Sequence, residues 1–205
     1  MDLLGFADYA GTCAFAISGT LSASEKKLDL FGAAFIGFVT AVGGGTIRDL
    51  LLGNTPVTWI MGWEYFVLIL CSIAFTFIFY KQIIKLKQTL FLFDTIGIGV
   101  FTIIGVEKAL VFGLTPPLSL VMGLSSAVVG GVLRDTLCND VPLIFHKEIY
   151  ATACIFGGTI YLLLHYFQVD IHFSQIATIV AIITIRLLAI KFNFSLPKIT
   201  NAQQD

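Results

Sequence analysis

Two charged dipeptides, Arg48-Asp49 and Arg134-Asp135, lie close to apolar stretches of the chain, and each follows a group of glycines. A charged side chain near the hydrocarbon of a membrane is costly unless it is paired or hydrated, so such residues are candidates for a functional site. An ion pair in this setting can attract or screen a small charged solute. The glycines are Gly43, Gly44 and Gly45 before the first dipeptide, and Gly130 and Gly131 before the second.

The two dipeptides occupy corresponding positions in an internal repeat. A shift of 86 residues places residues 37–51 over residues 123–137 without a gap, and eight of these fifteen positions are identical. The same shift pairs Asp8 with Asp94 and Thr40 with Ser126. Self-similarity of this kind indicates two structural units that resemble each other.

The composition indicates a membrane protein. The chain is 57% hydrophobic and 12% charged with a formal net charge of -1, and its mean hydropathy is +0.93. Soluble domains have about 25% charged residues, so a soluble enzyme, a disordered chain and a nucleic-acid binder are excluded. A membrane span needs about 20 apolar residues. Seven segments qualify, at about residues 3–22, 29–52, 59–80, 90–110, 116–138, 147–167 and 173–192.

The repeat and the spans together predict the fold class. Each unit contains three spans, which is an odd number, so the second unit must cross the membrane in the opposite direction. We therefore predict an all-α integral membrane protein with seven transmembrane helices, arranged as two inverted three-helix repeats plus a seventh helix. Within one membrane domain of residues 1–205, the repeats are expected at about 3–80 and 90–167, and the seventh helix at about 173–192.

The glycine groups allow two interpretations, which can hold together. Consecutive glycines each weaken a helix by about 1 kcal/mol, and an opened helix would offer carbonyl oxygens to a cation, with hydroxyls from Thr40 and Ser126 close by. The alternative is close packing of helices through small residues four apart. That spacing occurs at Gly37, Ala41 and Gly45, and again at Gly123, Ala127 and Gly131.

The charged residues are expected to gather at the two membrane faces. Asp8 should lie at the depth of Arg48 near the outer face, and Asp94 near Arg134 at the inner face. Each mouth would then hold two acids and one arginine, a residual charge of about -1 that favours cations weakly. The alternative is that each arginine is an interfacial anchor that reaches lipid phosphate. Arg186, inside the seventh span, is expected to snorkel or to meet a partner subunit.

Neither an enzyme nor a cofactor site is expected. No nucleophile–base pair or set of metal ligands stands out, and the four cysteines form no C-x-x-C pair that would indicate zinc. Because the charges lie towards the mouths while the centre is glycine and hydroxyl, a channel is favoured over a carrier. A secondary carrier for a small solute, rocking one repeat against the other, remains the alternative.

Three stretches identify a family resemblance: residues 11–20 (GTCAFAISGT), 27–32 (KLDLFG) and 40–53 (TAVGGGTIRDLLLG). They are similar to the prokaryotic TRIC family of trimeric intracellular cation channels, over the chain to about residue 192. The resemblance implies a homotrimer in a bacterial inner membrane, surrounded by lipid. It also implies a pore in each subunit, permeable to potassium or other monovalent cations and lined by second and fifth helices kinked at their glycines. Val129 replaces the equivalent of Gly43, so less bending is expected in the fifth helix. The same domain is also described as a glycine transporter, so a carrier for glycine stays open.

The lysines predict the orientation in the membrane. With seven spans, eight lysines fall on the C-terminal side and only Lys108 falls on the other. Loops rich in lysine stay in the cytoplasm, so the N-terminus is expected outside and the C-terminus inside. The eight are Lys26, Lys27, Lys81, Lys85, Lys87, Lys147, Lys191 and Lys198.

Reporters fused to the two termini test this topology. We expect a C-terminal reporter to signal a cytoplasmic position and an N-terminal reporter an external one, because of the lysine bias. Two reporters on the same side would contradict the odd number of spans, and with it the inverted repeat.

Overall fold

The protein is described here from a computed structural model that covers residues 3–84, 89–145 and 149–192. Lys85, Lys87, Lys147 and Lys198, which contribute to the predicted orientation, lie outside the described residues. Seven α-helices follow one another along the described chain: α1 (Leu3–Glu25), α2 (Leu30–Leu51), α3 (Trp63–Ile83), α4 (Thr89–Val111), α5 (Pro116–Leu137), α6 (Ala151–Tyr166) and α7 (Ile171–Phe192). Two short 3₁₀ turns, Thr58–Ile60 and Leu143–Phe145, follow α2 and α5.

The predicted seven-helix fold class is confirmed, with helix bounds within a few residues of the expected spans. Of the described helices, α2, α3, α4, α5 and α7 are individually long and apolar enough to cross a membrane, and α6 is a shorter apolar helix. The remaining helix, α1, carries hydroxyl side chains that are buried in the bundle, such as those of Thr12, Ser18 and Thr20. Its neighbours, rather than lipid, therefore surround its polar groups.

The helix ends repeat their geometry even where the residue type changes. Lys27 after α1 and Gly113 after α4, which are 86 residues apart, both have a positive φ, of 57° and 80°. Gly53 and Asn139, after α2 and α5, form a second such pair, with φ of 69° and 56°. A left-handed residue is a common way to end a helix, and glycine and asparagine adopt it most readily. The two units thus stop their helices in the same way.

The pseudo-twofold axis passes between α1 and α4. The rings of Phe15 and Phe101, which are equivalent in the repeat, stack with centroids 5.2 Å apart and planes inclined by 13°. Each ring lies against a glycine of the opposite helix, Gly97 for Phe15 and Gly11 for Phe101. Aromatic pairs in this offset arrangement add to the energy of buried area, so the pair holds the two units together at the centre.

The same axis relates a backbone contact between α2 and α5. A Cβ added to Gly44 would overlap the carbonyl oxygen of Ser126, and one added to Gly130 would overlap that of Thr40. Both helices are uninterrupted, so the interpretation in which they open at the glycines and free their carbonyl groups does not apply. The close-packing interpretation applies at Gly44 and Gly130, because only glycine lets the two backbones approach this closely.

The other helices surround this central four-helix group. Helix α3 packs on α1 and α2, and α6 packs on α4 and α5, as the repeat requires. Helix α7 lies outside the repeat and packs on α4 and α6. We call the end of the bundle where α1 begins and α2 ends the outer end, and the opposite end, where α1 and α5 both terminate, the inner end.

Two alanine substitutions in α2 distinguish a glycine in close contact with another helix from a glycine that has free space beside it. Gly44→Ala should destabilise the protein by about 1–3 kcal/mol, the usual cost of inserting a group into a filled contact. Gly45→Ala should change little, because its added Cβ would meet only Nη2 of Arg48, at 3.6 Å. Thermal unfolding of the detergent-solubilised variants measures both. Equal stability of the two variants would contradict the backbone contact.

Candidate functional site

The carboxylate of Asp49, near the end of α2, organises a cluster at the outer end. Its Oδ1 accepts hydrogen bonds from Nε of Arg48 at 2.9 Å and from Nζ of Lys108 at 2.8 Å. Its Oδ2 accepts from the backbone N–H and the hydroxyl of Thr58, at 2.8 and 2.6 Å. The side chain of Asp49 is only 1% exposed. Charge-assisted bonds of this kind fix the position of Arg48 as well as that of Asp49.

A partly open cavity lies beside this cluster at the outer end. Its volume, including the open mouth, is about 310 Å³, so water can enter it. Asp8 contributes a carboxylate to the wall and accepts a hydrogen bond from the hydroxyl of Tyr65. Besides these two residues, the polar and glycine lining consists of Thr12, Gly45, Arg48, Asp49 and Thr58.

The corresponding cluster at the inner end is closed. Nη1 of Arg134 donates to Oδ1 of Asp94 at 2.7 Å and to Oγ of Ser18 at 2.6 Å. Its Nε donates to Oδ1 of Asp135 at 2.7 Å. The side chains of Arg134 and Asp94 are both 0% exposed. Among the acids that the structure describes, Arg48 bonds only to the adjacent Asp49, whereas Arg134 bonds to both Asp94 and Asp135.

The two 3₁₀ turns complete the clusters in the same manner. The backbone N–H of Leu143 donates to Oδ2 of Asp135 at 2.9 Å, as that of Thr58 does to Asp49. These two donors are 85 residues apart, one fewer than the helical repeat. The same spacing relates Tyr65 to Tyr150, so a gapless alignment of the two halves hides their equivalence.

Several residues that sequence reasoning missed belong to these clusters. Lys108 joins the outer cluster. The formal charges of Lys108, Arg48, Asp8 and Asp49 sum to zero, so the predicted residual charge of -1 is wrong at the outer end. The inner cluster keeps two acids and one arginine. A signal for Lys108 was present in the sequence, since it is the one lysine expected at the outer end. Ser18, Thr58, Tyr65 and Tyr150 gave no comparable signal.

The hydroxyls expected beside the glycines have unequal partners. Oγ1 of Thr40 donates to the carbonyl of Ile36 in its own helix at 2.6 Å. Oγ of Ser126 instead accepts from Nη1 of Arg48, at 3.4 Å. Arg134 uses Ser18 rather than the repeat-equivalent Thr40. Hydroxyls therefore support both arginines, although the repeat does not predict which hydroxyl serves the inner one.

The glycines divide into contact positions and open positions. Gly43 faces the side chain of Leu133, while Gly44 and Gly130 form the backbone contact described above. Gly45 leaves space beside Arg48, whereas its repeat equivalent Gly131 is buried and closely surrounded. A Cβ on Gly131 would lie 3.1 Å from the hydroxyl of Tyr150 and 3.5 Å from Oδ1 of Asp94.

The arginines are not interfacial anchors. Arg48 and Arg134 are 3% and 0% exposed and bond inside the protein, so neither side chain reaches lipid phosphate. The expectation for Arg186 is also wrong. It is fully buried within the subunit, where its Nη1 donates to the carbonyl of Ile149 at 2.9 Å. It neither snorkels nor presents itself to a second subunit.

These features define the class of protein. It is a polytopic membrane protein of two inverted repeats, with a buried ion-pair cluster near each end. The sequence model described as "Glycine transporter" matches residues 5–81 and 91–166, which cover α1–α3 and α4–α6. The chain belongs to this family.

Individual relatives extend the comparison. The chain is 39% identical to the inner membrane protein YadS of Escherichia coli over 197 residues, covering 95% of each protein. It is 38% identical to a membrane protein of Vibrio cholerae, covering 95% of this chain and 82% of the relative. A solved TRIC trimeric intracellular cation channel orthologue from Rhodobacter sphaeroides superposes with a TM-score of 0.90 at 34% identity, covering 95% of this chain and all of the other. The resemblance to prokaryotic TRIC proteins is thereby confirmed.

Two variants, each of which neutralises one aspartate, test whether a buried carboxylate contributes more to stability than an exposed one. Asp49→Asn should destabilise the protein by about 3–5 kcal/mol, because the buried Arg48 and the partly buried Lys108 lose their shared partner. Asp140→Asn is the matched control, since Asp140 pairs with Lys26 at 2.6 Å on the exposed surface of the inner end. Water screens that pair, and little change is expected. Thermal unfolding compares the two variants. A loss of stability at Asp140 equal to that at Asp49 would contradict the account of the outer cluster.

Proposed function

We propose that this protein is a cation channel whose pathway runs along the paired helices α2 and α5. One observation carries the proposal: the α2–α5 crossing lies between two equivalent ion-pair clusters, and the outer one borders an open cavity. The similarity to TRIC cation channels at 34% identity supports the same function. Monovalent cations such as potassium are the proposed ions.

The candidate residues have distinct roles in this proposal. Asp8 and Asp94 attract cations at the two ends, and Arg48, Asp49, Arg134 and Asp135 set the local potential. Gly45 leaves room beside Arg48, and Gly131 lies beside Arg134 at the closed inner end. Gly43, Gly44 and Gly130 keep α2 and α5 close together, with Thr40 and Ser126 at the same contact. An acid beside a narrow opening favours cations over anions.

The assembly and orientation are part of the same proposal. The similar structure from Rhodobacter sphaeroides is named as trimeric, and we infer a homotrimer for this chain, with lipid around it. The Escherichia coli relative is named an inner membrane protein, which supports a bacterial inner membrane. The N-terminus is proposed to face outside and the C-terminus the cytoplasm.

A carrier for a small solute such as glycine is the second candidate. The name of the matching family favours it, and the difference between the two ends also suits a carrier, since an open outer cavity and a closed inner cluster are compatible with alternating access. In a carrier, Asp8 and Arg48 would bind the ammonium and carboxylate of the solute in the outer cavity.

Recording from purified protein in a planar bilayer separates the two functions. A channel gives discrete current steps in potassium solutions without any organic solute. A carrier gives no such steps and instead exchanges labelled glycine across proteoliposomes. Solute exchange without current steps would overturn the proposal.

The outer carboxylate provides a second test. Asp8→Asn should lower cation current from the outside by about two- to threefold at 0.1 M salt, since unit charges about 7 Å apart in water interact by about RT. The effect should shrink at 1 M salt, where charges are screened beyond about 3 Å. Glu64→Gln is the control, because Glu64 begins α3 at the same end but is exposed and outside the cavity lining. Equal effects of the two variants would remove Asp8 from the pathway.

A further inference from the structure

Two equivalent tyrosines differ in exposure between the ends of the protein. Tyr65 at the outer end is partly exposed, donates to Asp8 and borders the cavity. Tyr150 at the inner end is 2% exposed, and its hydroxyl lies beside Gly131 and Asp94. Asp8 and Gly45 are likewise partly exposed, whereas Asp94 and Gly131 are buried. The inner end is therefore the closed one, and Tyr150 is part of what closes it.

Arg186 of α7 holds the segment that carries Tyr150. Its guanidinium carbon lies 4.6 Å from the centre of the Tyr150 ring, within the range of a cation–π interaction. Its Nη1 also bonds to the carbonyl of Ile149, the residue just before Tyr150. One planar side chain thus fixes both the ring and the adjacent backbone, which an ammonium or an apolar side chain could not do together.

Among the described residues, the outer end has no equivalent of this contact, because α7 lies outside the repeat. The ring of Tyr65 packs edge-on against Tyr9, with centroids 5.1 Å apart. Within the described part of the chain, the cation–π contacts involve Tyr150 and Phe192 but not Tyr65. A fully buried arginine is expensive in a membrane protein, so its placement against only one of two equivalent tyrosines requires an explanation.

We propose that Arg186 is a positioning residue that holds Tyr150 across the inner end of the ion pathway and keeps that end closed. The seventh helix thereby makes the two ends of a symmetric pathway unequal and acts as an inner lock. Opening requires Tyr150 to leave its place between Arg186 and the Arg134–Asp94 pair. This inference rests on the proposed ion pathway for its functional meaning, but the closure itself can be measured without ion flow.

The test measures access to the inner cluster by side-specific thiol modification. Ser18→Cys, in a chain whose four cysteines are replaced by alanine, places a thiol beside Arg134. A membrane-impermeant, positively charged methanethiosulfonate is applied from the inner side of oriented vesicles. Arg186→Met removes the guanidinium while filling its space. Leu187→Met is the matched control, because the adjacent Leu187 is 42% exposed on the outside of the bundle.

We expect Arg186→Met to raise the rate of modification about a hundredfold, the size of effect that loss of one desolvated cation–π contact and one hydrogen bond produces. Leu187→Met should leave the rate unchanged. Arg186→Lys, which keeps the cation and a donor, should restore part of the protection. Tyr150→Leu leaves the hydrogen bond from Arg186 to the Ile149 carbonyl in place and should also raise the rate. It replaces Arg186→Met as the test variant if Arg186→Met does not yield folded oligomer.

The outcomes separate the lock from the proposed function. A rate in folded Arg186→Met or Tyr150→Leu that equals the starting chain overturns the lock, whatever the current. A raised rate together with an increased open probability in planar bilayers supports both. A raised rate in protein that never conducts supports the closure by Arg186 and overturns the channel.

Discussion

The direct backbone contact between α2 and α5 is the constraint on which the rest of the structure depends. Gly44 and Gly130 each lie against a carbonyl group of the opposite helix, and any side chain at these positions would separate the helices. The closeness of the helices allows Arg48 of α2 to reach Ser126 of α5. It also brings the two Arg-Asp dipeptides into one pair of antiparallel helices, one near each end.

The ion pairs at the two ends follow from this arrangement and from burial. An arginine that leaves water needs an ionised partner and further hydrogen bonds to satisfy its remaining donors. Each dipeptide supplies the partner from the next residue, and a 3₁₀ turn supplies a backbone N–H to the same carboxylate. The outer end adds Lys108 and the inner end adds Asp94. The symmetry of the fold therefore places the charges, and single residues outside the symmetry decide their balance.

Much of the fold was predictable from the sequence, because hydropathy and an exact spacing of 86 residues are properties of the chain itself. The seven helices, the inversion and the approach of Asp94 to Arg134 all follow from that spacing. The glycines left two interpretations open, because low helix propensity permits helix opening and small size permits close contact, and tertiary packing decides between them. The contact between Tyr150 and Arg186 could not be predicted from the sequence. Tyr150 is 85 rather than 86 residues from Tyr65, so the repeat alignment does not pair the two tyrosines, and Arg186 lies outside the repeat.

The central claim is that cations pass beside the open glycine face of α2, and one measurement tests it most directly. A cysteine at Gly45 has room beside Arg48, whereas one at Leu50, on the same helix and 53% exposed, faces away from the cavity. A positively charged thiol reagent applied from the outside during bilayer recording should reduce the current of Gly45→Cys and leave that of Leu50→Cys unchanged. Complete modification at position 45 with unchanged current would contradict the claim, since the ions would then have to pass elsewhere.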